Sequence, residues 1–327
     1  MNILVTGATG FIGSHLVRSL VKEGHHCRCL FRKTSDISKF KKLNNIEFIY
    51  GDITDENSLK GIAKGTDIVY HIAGLLGKWC RSYSELFQVN VQGVMNLIIA
   101  CSSVNIQRFV HISAGGVTGS LKERCVDETY ECRPSTPYER TKFKGEQMAL
   151  KMSREHRIPL TVVRPSFAYG PGDLHKLGLF KIIKRGLFFF IGNGQSTVHP
   201  VYIDDLIDGI KLCANNEKAV GKLYIIGGPR PVTKEELVRV IAENLGTKTP
   251  KLRIPLWAAI MLAKIGEVLG RFFKFEPPLT YSRVNMLNKN WGLDISKARM
   301  ELGYEPKIDL SEGIRRTVRW YKKNGYL

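Results

Sequence analysis

Apolar and polar positions in the first half of the chain fall into a repeating rhythm. Short apolar runs alternate with stretches whose apolar residues recur at helical intervals. Residues 3–5 form an apolar run. Residues 14–21 follow with His15-Leu16, Leu20 and Val21 on a helical period, and Gly24 is placed to end that helix as its C′ residue. Strands are then predicted at 26–31, 46–50, 67–72, 108–113 and 160–164. Between them lie a short helix at 55–63 and long helices at 83–103 and 137–156. Strands alternating with helices in this way predict an α/β fold with a doubly wound parallel sheet. The rhythm changes after Pro171, where Gly, Pro and aromatic residues become denser, as in Gly186-Leu-Phe-Phe-Phe-Ile-Gly192. Residues 1–170 are expected to form the main domain and 171–327 a smaller substrate-covering lobe, with segments such as 201–213 returning to the main domain.

The first strand runs directly into Thr6-Gly7-Ala8-Thr9-Gly10-Phe11-Ile12-Gly13, with glycines spaced G-x-x-G-x-x-G. Gly7 turns the chain after the strand, Gly10 lets bare backbone approach a pyrophosphate, and Gly13 lets the helix pack close to the sheet. The first N–H groups of the helix then face the phosphates, aided by the helix dipole. A tight strand–helix turn without a ligand is the alternative, and the βαβ start around the motif weakens it. Strand two ends in Phe31-Arg32-Lys33. An acidic residue there binds a ribose 2′-OH, whereas an arginine accommodates a 2′-phosphate. Arg32, helped by Lys33, therefore favours NADP over NAD; a surface charge pair is the alternative. Asp52, in Gly51-Asp52-Ile53 after strand three, is placed to accept from an adenine amino group or to cap the next helix.

Thr136-Pro137-Tyr138-Glu139 has the form of a helix start, with Thr as N-cap, Pro at the first helical position and Glu closing a capping box. Tyr138 and Lys142 then share a helix face at i, i+4. A phenol serves acid–base chemistry near neutral pH if a neighbouring ammonium lowers its pKa. Ser113 ends the preceding strand at the carboxyl edge of the predicted sheet, where ligands bind. Asn90 lies inside a core-like helix, a costly place for an amide unless it has a polar task.

Composition adds less. Lys+Arg 49 against Asp+Glu 30 gives a net charge of +19, which suits anionic ligands, acidic surfaces or a membrane face. The lysines are scattered and no nucleic-acid motif is present, so nucleic acid is not an expected partner. The seven cysteines (27, 29, 80, 101, 125, 132, 213) include no C-x-x-C pair and suit reduced thiols in a cytoplasmic protein. Met1 leads straight into the first strand, with no signal peptide expected. The eight histidines show no ligand spacing, so no metal is expected.

Over essentially its whole length the chain resembles the extended short-chain dehydrogenases/reductases. The matching segments are Thr6 to Gly13, Asp52, His71-Ile-Ala-Gly74, Asn90, Ser113, Tyr138-x-x-x-Lys142, Arg164-Pro-Ser-Phe-Ala-Tyr-Gly-Pro-Gly172 and Tyr202-Ile-Asp-Asp205. The resemblance implies a Rossmann domain, NAD(P) and hydride transfer. It implies Tyr138 as general acid/base. Lys142 lowers the tyrosine pKa and holds the nicotinamide ribose, Ser113 positions the reacting oxygen, and Asn90 supports a water or the lysine. It puts the cofactor on Gly7, Thr9, Gly10, Phe11, Ile12, Gly13, Arg32, Lys33, Asp52, Ile53, Ala73, Gly74, Tyr138, Lys142 and Pro165.

Three departures bear on the reaction. Sugar-modifying members usually show Val-Tyr-Gly where this chain has Val117-Thr118-Gly119. They commonly carry an Asn where Phe167 stands and a phosphate-pairing Arg where Val198 stands. Arg–phosphate pairing is bidentate and strong, so its loss is informative. The expected activity is therefore that of the 3β-hydroxysteroid dehydrogenase and dihydroflavonol reductase branch, on a lipophilic hydroxyl/ketone pair. The alternatives are a sugar-nucleotide epimerase or dehydratase, and a non-catalytic dinucleotide sensor, against which the intact Ser, Tyr and Lys argue. Arg230, Arg253 or Arg283 remains a possible substitute partner for a diphosphate. Substrate-facing loops are expected at 75–79 and 174–179. Residues 254–275 suit a helix packed on the lobe, and their apolar face with Lys264, Arg271 and Lys274 also suits cover of a lipophilic pocket or weak contact with an anionic membrane. The resemblance further implies a homodimer through the long helices 83–103 and 137–156.

Overall fold

The computed structural model describes residues 1–77, 81–121, 123–273, 275, 277 and 279–327. Lys78, Trp79, Cys80 and Lys274 lie outside the described residues. The first part of the chain runs β1 (Asn2–Thr6), α1 (Phe11–Lys22), β2 (His26–Phe31), β3 (Ile46–Tyr50), β4 (Ile68–His71), α2 (Tyr83–Phe87), α3 (Gly93–Ser102), β5 (Arg108–Ile112), α4 (Pro137–Glu155) and β6 (Leu160–Pro165). Then come β7 (Phe167–Tyr169), α5 (Leu177–Lys184), β8 (Phe190–Ile191), β9 (Thr197–Val198), β10 (Pro200–Tyr202), α6 (Ile203–Asn215), β11 (Leu223–Ile226), β12 (Val232–Thr233) and α7 (Lys234–Leu245). The last elements are β13 (Arg253–Ile254), α8 (Leu256–Phe273), α9 (Tyr281–Asn288), α10 (Ser296–Leu302) and α11 (Leu310–Lys323).

Seven strands form one sheet in the order β11-β6-β5-β4-β1-β2-β3. Every pairing in it is parallel. Alternate residues enter two cores. Ile3, Val5, Tyr70 and Val110 face one, and Leu4, Val69 and Phe109 face the other. A parallel sheet covered on both faces needs such near-continuous apolar strands. The chain reverses direction across the sheet between β1 and β4, which opens a crevice at their carboxyl ends. The cofactor motif and the proposed catalytic residues gather there.

The structure departs from the sequence expectation in three elements. The seventh strand, β11, comes from the second half of the chain; its four-residue apolar run is too short for periodicity to separate strand from helix. The expected helix 55–63 is a single 3₁₀ turn, Glu56–Leu59, capped by Asp55. The expected helix 83–103 is broken between α2 and α3 by a π-helical turn, Gln88–Gln92, which carries Asn90. Helix α6, containing most of 201–213, packs against α1, β5 and β6. Its Asp205 carboxylate accepts the N–H groups of Lys307 and Ile308 at 2.9 and 3.0 Å, which ties the C-terminal segment to the sheet layer. Among the described residues no helix is long and apolar enough to cross a membrane, and no His, Cys, Asp or Glu cluster is arranged to hold a metal.

Candidate active site

The glycine motif is shaped by close backbone approach. Gly7 has φ +75°, and a Cβ on it would fall 2.5 Å from the Ala73 nitrogen at the end of β4. A Cβ on Gly13 would fall 2.2 Å from the Gly7 carbonyl oxygen, so α1 can start this near β1 only with glycine there. Gly10 is the N-cap of α1. No side chain caps that end, and its first turn carries no acidic residue. A helix N-terminus left open in this way, at the switch point of the sheet, fits a dinucleotide diphosphate. Thr9 is exposed beside it, and Phe11 and Ile12 are partly buried.

Arg32 and Lys33 are exposed just past β2. The Asp52 carboxylate accepts from the Thr54 N–H and hydroxyl at 2.9 and 2.8 Å, while the next helical turn is capped by Asp55. Asp52 is thus not the cap of that turn. Ile53 is buried against Gly93, and its carbonyl accepts from Asn96 at 2.9 Å. Ala73 and Gly74 follow β4 at the crevice, and Pro165 ends β6.

Helix α4 begins with the predicted capping box. Thr136 accepts from the Glu139 N–H, and Glu139 accepts from the Thr136 N–H. This fixes the turn that carries Tyr138. One turn later the buried Lys142 ammonium donates to the Ile112 carbonyl at 2.7 Å, beside Ser113. Ser113 is buried, and its hydroxyl has no hydrogen-bond partner among the described residues. A buried hydroxyl without a partner is costly unless something docks against it. Ser113 and Lys142 therefore meet at the carboxyl end of β5, with Tyr138 on the same face of α4.

Asn90 joins this group through backbone contact. A Cβ on Gly145 of α4 would fall 2.0 Å from the Asn90 carbonyl oxygen, so the glycine lets α4 cross directly on the π turn. The Asn90 amide accepts from the Leu75 N–H at 2.7 Å and donates to the Leu75 carbonyl at 3.1 Å and to Thr141 at 3.2 Å. It pins the loop after β4 to α4. A Cβ on Gly77 in that loop would fall 2.8 Å from the Tyr138 Cβ, so the loop lies against the tyrosine.

The electrostatics differ from expectation at one point. Burial pushes the Tyr138 phenol up to about 12, with the Glu139 carboxylate adding to it. Lys142, expected from the sequence to lower it, here donates its ammonium to the Ile112 carbonyl. Burial pushes Lys142 itself down to about 8. His71 and His111 stack beneath the site at 5.3 Å. Burial, with Lys142 adding, pushes His71 down to about 3 and His111 well below its usual range, so both are neutral.

Sequence reasoning missed two buried ion pairs that hold α4. Arg164 of β6 donates to both oxygens of Glu146, at 2.9 and 2.5 Å. Lys289 donates to Glu139 at 2.6 Å. Each joins residues far apart in sequence, and Glu139 looked fully explained by its capping role.

The two phosphate-clamp positions carry apolar side chains, and the cation beside one of them is paired with Asp173 at 3.0 Å. Phe167 is partly buried, with the Lys176 ammonium 4.5 Å from its ring centre. Val198 is buried in β9, paired with Val232. The substitute arginines are engaged elsewhere. Arg230 binds both oxygens of Glu236, Arg253 binds Glu235 at 2.7 Å, and Arg283 donates to the Pro277 carbonyl at 2.7 Å.

Residues 3–227 match the NAD dependent epimerase/dehydratase family. The chain belongs to this family. It is accordingly an enzyme of nicotinamide adenine dinucleotide chemistry. It is 29% identical to the 3beta-hydroxysteroid-dehydrogenase/decarboxylase isoform 1 of Arabidopsis thaliana, over 96% of this chain and 78% of that one. It is 28% identical to sterol demethylase protein B of Methylococcus capsulatus, over the full length of both. A UDP-glucuronic acid 4-epimerase from Bacillus cereus, solved with NAD, superposes with a TM-score of 0.79 at 27% identity, covering 99% of each chain.

Proposed function

We propose that this protein transfers a hydride between nicotinamide and the hydroxyl or ketone carbon of a lipophilic, steroid- or flavonoid-like substrate. The observation that carries this reading is the apolar clamp region. Phe167 and Val198 stand where a diphosphate would need an amide and a guanidinium, and Arg230 and Arg253 are held by carboxylates. An apolar substrate needs no such clamp and gains about 25 cal/mol per Å² of apolar surface buried. The sterol-acting relatives support the same class.

The bound nicotinamide supplies or accepts the hydride. The residues of this chain do the rest. Ser113 donates its unpaired hydroxyl to the substrate oxygen and fixes its position. Tyr138, whose phenol keeps its proton at neutral pH, gives that proton to a carbonyl oxygen as it becomes an alcohol. Lys142 holds the nicotinamide ribose and stabilises the phenolate left behind. Asn90 keeps the Leu75 loop against α4, closing one side of the cleft. The Gly7 to Gly13 turn holds the diphosphate, and Arg32 with Lys33 favours a 2′-phosphate, hence NADP. A cytoplasmic homodimer joined through the long helical stretches 83–103 and 137–156 completes the proposal, on the strength of the family resemblance.

The second reading, a sugar-nucleotide epimerase or dehydratase with a tightly retained cofactor, draws on the likeness to the Bacillus cereus epimerase. Titrating UDP, GDP and a sterol-like ketone against cofactor-loaded protein separates the two. Binding of the ketone in preference to the nucleotides is expected. Micromolar binding of a nucleoside diphosphate with none of the ketone decides for the epimerase.

A further inference from the structure

The end of α9 is held from another helix. Lys234, the first residue of α7, is buried. Its amine donates to the Met286 carbonyl at 2.8 Å and to the Lys289 carbonyl at 2.7 Å. Lys289 is the C-cap of α9, with extended backbone at φ −78° and ψ 148°. Many helices close with a left-handed glycine just past this point. Here neither Lys289 nor Asn290 is left-handed, and a side chain from α7 takes the last carbonyls instead. A cation is favourable at a helix C-terminus, but this one sits in costly surroundings. Phe188, Phe189, Phe190 and Leu287 line the same small cavity. Burial, with the like charge of Lys289 adding to it, pushes Lys234 down to about 7. Charged or neutral, the amine keeps N–H groups for both carbonyls. A helix that needed only an end would use glycine and bury no lysine.

We propose that Lys234 and Lys289 are positioning residues for Tyr138: Lys234 fixes the end of α9, and Lys289, fixed there, presents its ammonium to Glu139. The inference rests on the proposed role of Tyr138 as proton donor. Lys289 is gripped along its backbone. Lys234 holds its carbonyl, its N–H donates to the Asn285 carbonyl at 3.0 Å, and two residues on the Trp291 N–H donates to the Thr197 carbonyl at 3.0 Å. Its side chain then has one buried partner, the Glu139 carboxylate at 2.6 Å. That carboxylate holds the Ser135 and Thr136 N–H groups and so sets the turn that carries Tyr138. It also disfavours a phenolate beside it. A cation paired with it opposes that effect, which matters for a phenol that must give up its proton. The same segment reaches the serine side. The Trp291 ring lies against Gly116, in the turn that follows Ser113. A Cβ on Gly116 would fall 3.1 Å from that ring and 3.6 Å from the Glu139 Cγ. The seating of α9 on α7 is thereby transmitted to the start of α4.

The test is Lys234→Met in the full chain, made alone and together with Glu139→Gln. Methionine keeps the stem among the phenylalanines and removes the donor. Two readouts are taken. One is hydrogen exchange at the Glu139 and Arg140 amides, both bonded to Thr136. The other is steady-state reduction of a sterol-like ketone with NADPH. Lys234→Met is expected to quicken exchange at these amides about tenfold or more. It should lower kcat by about tenfold, with the KM of the ketone and the affinity for NADPH unchanged. In the Glu139→Gln background the same substitution should alter kcat by no more than about twofold, because the group it acts through is gone. Lys234→Gln is measured in its place, with the same expectations, where Lys234→Met does not fold. Lower thermal stability with unchanged exchange and kcat overturns the proposal and leaves Lys234 as a helix cap. An equal loss of kcat in both backgrounds overturns it too. A wild type that reduces no sterol-like ketone counts against the proposed function alone, and exchange at the two amides then decides this proposal.

Discussion

The Lys289 ammonium lies 2.6 Å from the carboxylate of Glu139, the residue directly after Tyr138, although 150 positions separate the two in sequence. Both side chains are buried. Glu139 also takes the Ser135 and Thr136 N–H groups, so one carboxylate joins the start of the catalytic helix to the segment that follows α9. Burial alone would raise the Glu139 pKa; the Lys289 charge and the Ser135 bonds outweigh it and hold the group below its ordinary value of 4.5.

A depressed carboxyl pKa stabilises the fold above the ordinary value, and that stability is lost as pH falls through the lower folded value. Lys289→Met strands a buried carboxylate and should cost about 3–5 kcal/mol at neutral pH. Below pH 4.5 the stranded Glu139 can protonate, so the deficit should shrink there. Urea unfolding of both proteins across that range checks this. An equal deficit at both ends of the range would mean that the pair contributes packing and not charge.

Tyr138→Phe keeps the ring and removes the proton donor. Turnover should fall by roughly 10²-fold or more, with cofactor affinity retained. Lys142→Met should reduce both, because the proposed role of the lysine covers the ribose and the phenolate. Steady-state kinetics beside a cofactor fluorescence titration separates the effects. Full activity in Tyr138→Phe would place the acid elsewhere.

Arg32→Asp puts a negative charge where the proposed partner of the 2′-phosphate stands. NADP binding should weaken by on the order of 2 kcal/mol or more, with NAD little affected. Calorimetric titration of both cofactors measures this. A parent protein that binds the two equally well would refute the NADP preference.

Gly145→Ala sets helix preference against contact. Alanine favours a helix by about 1 kcal/mol over glycine. Its Cβ would collide with the Asn90 carbonyl oxygen and push α4 off the π turn, at a cost of about 1–3 kcal/mol. A net loss of stability together with reduced turnover is expected. A more stable and fully active variant would show that the crossing has room to yield.

What the sequence made legible was local. The glycine motif, the capping box at Thr136 and the Tyr138–Lys142 pair each fit within one or two turns of chain. The Glu139–Lys289 and Glu146–Arg164 pairs were not legible, because nothing in a local pattern says which distant cation meets a buried acid. The phenol shift also needed coordinates, since the burial of the ring decides it. Periodicity identified residues 254–275 as amphipathic, but it could not say which face packs on the lobe. Hydrophobicity alone would bury Trp257 and Phe272, whereas the packing distance that α9 and the Pro277 segment permit selects the alanines and glycines instead.

The π turn at Gln88–Gln92 has a consequence for how this enzyme tolerates change. A π turn holds one residue more than the α-helix that would replace it. Deleting any single residue there would leave a regular helix, hydrogen-bonded from end to end. Helices α2 and α3 would keep their faces, since the wide turn is what absorbs the extra residue, but the amide that pins Leu75 would leave its partners. Activity thus depends on the number of residues in this stretch as well as on their identity. A one-residue deletion at the π turn should uncouple the cleft from the catalytic helix even where every named side chain survives.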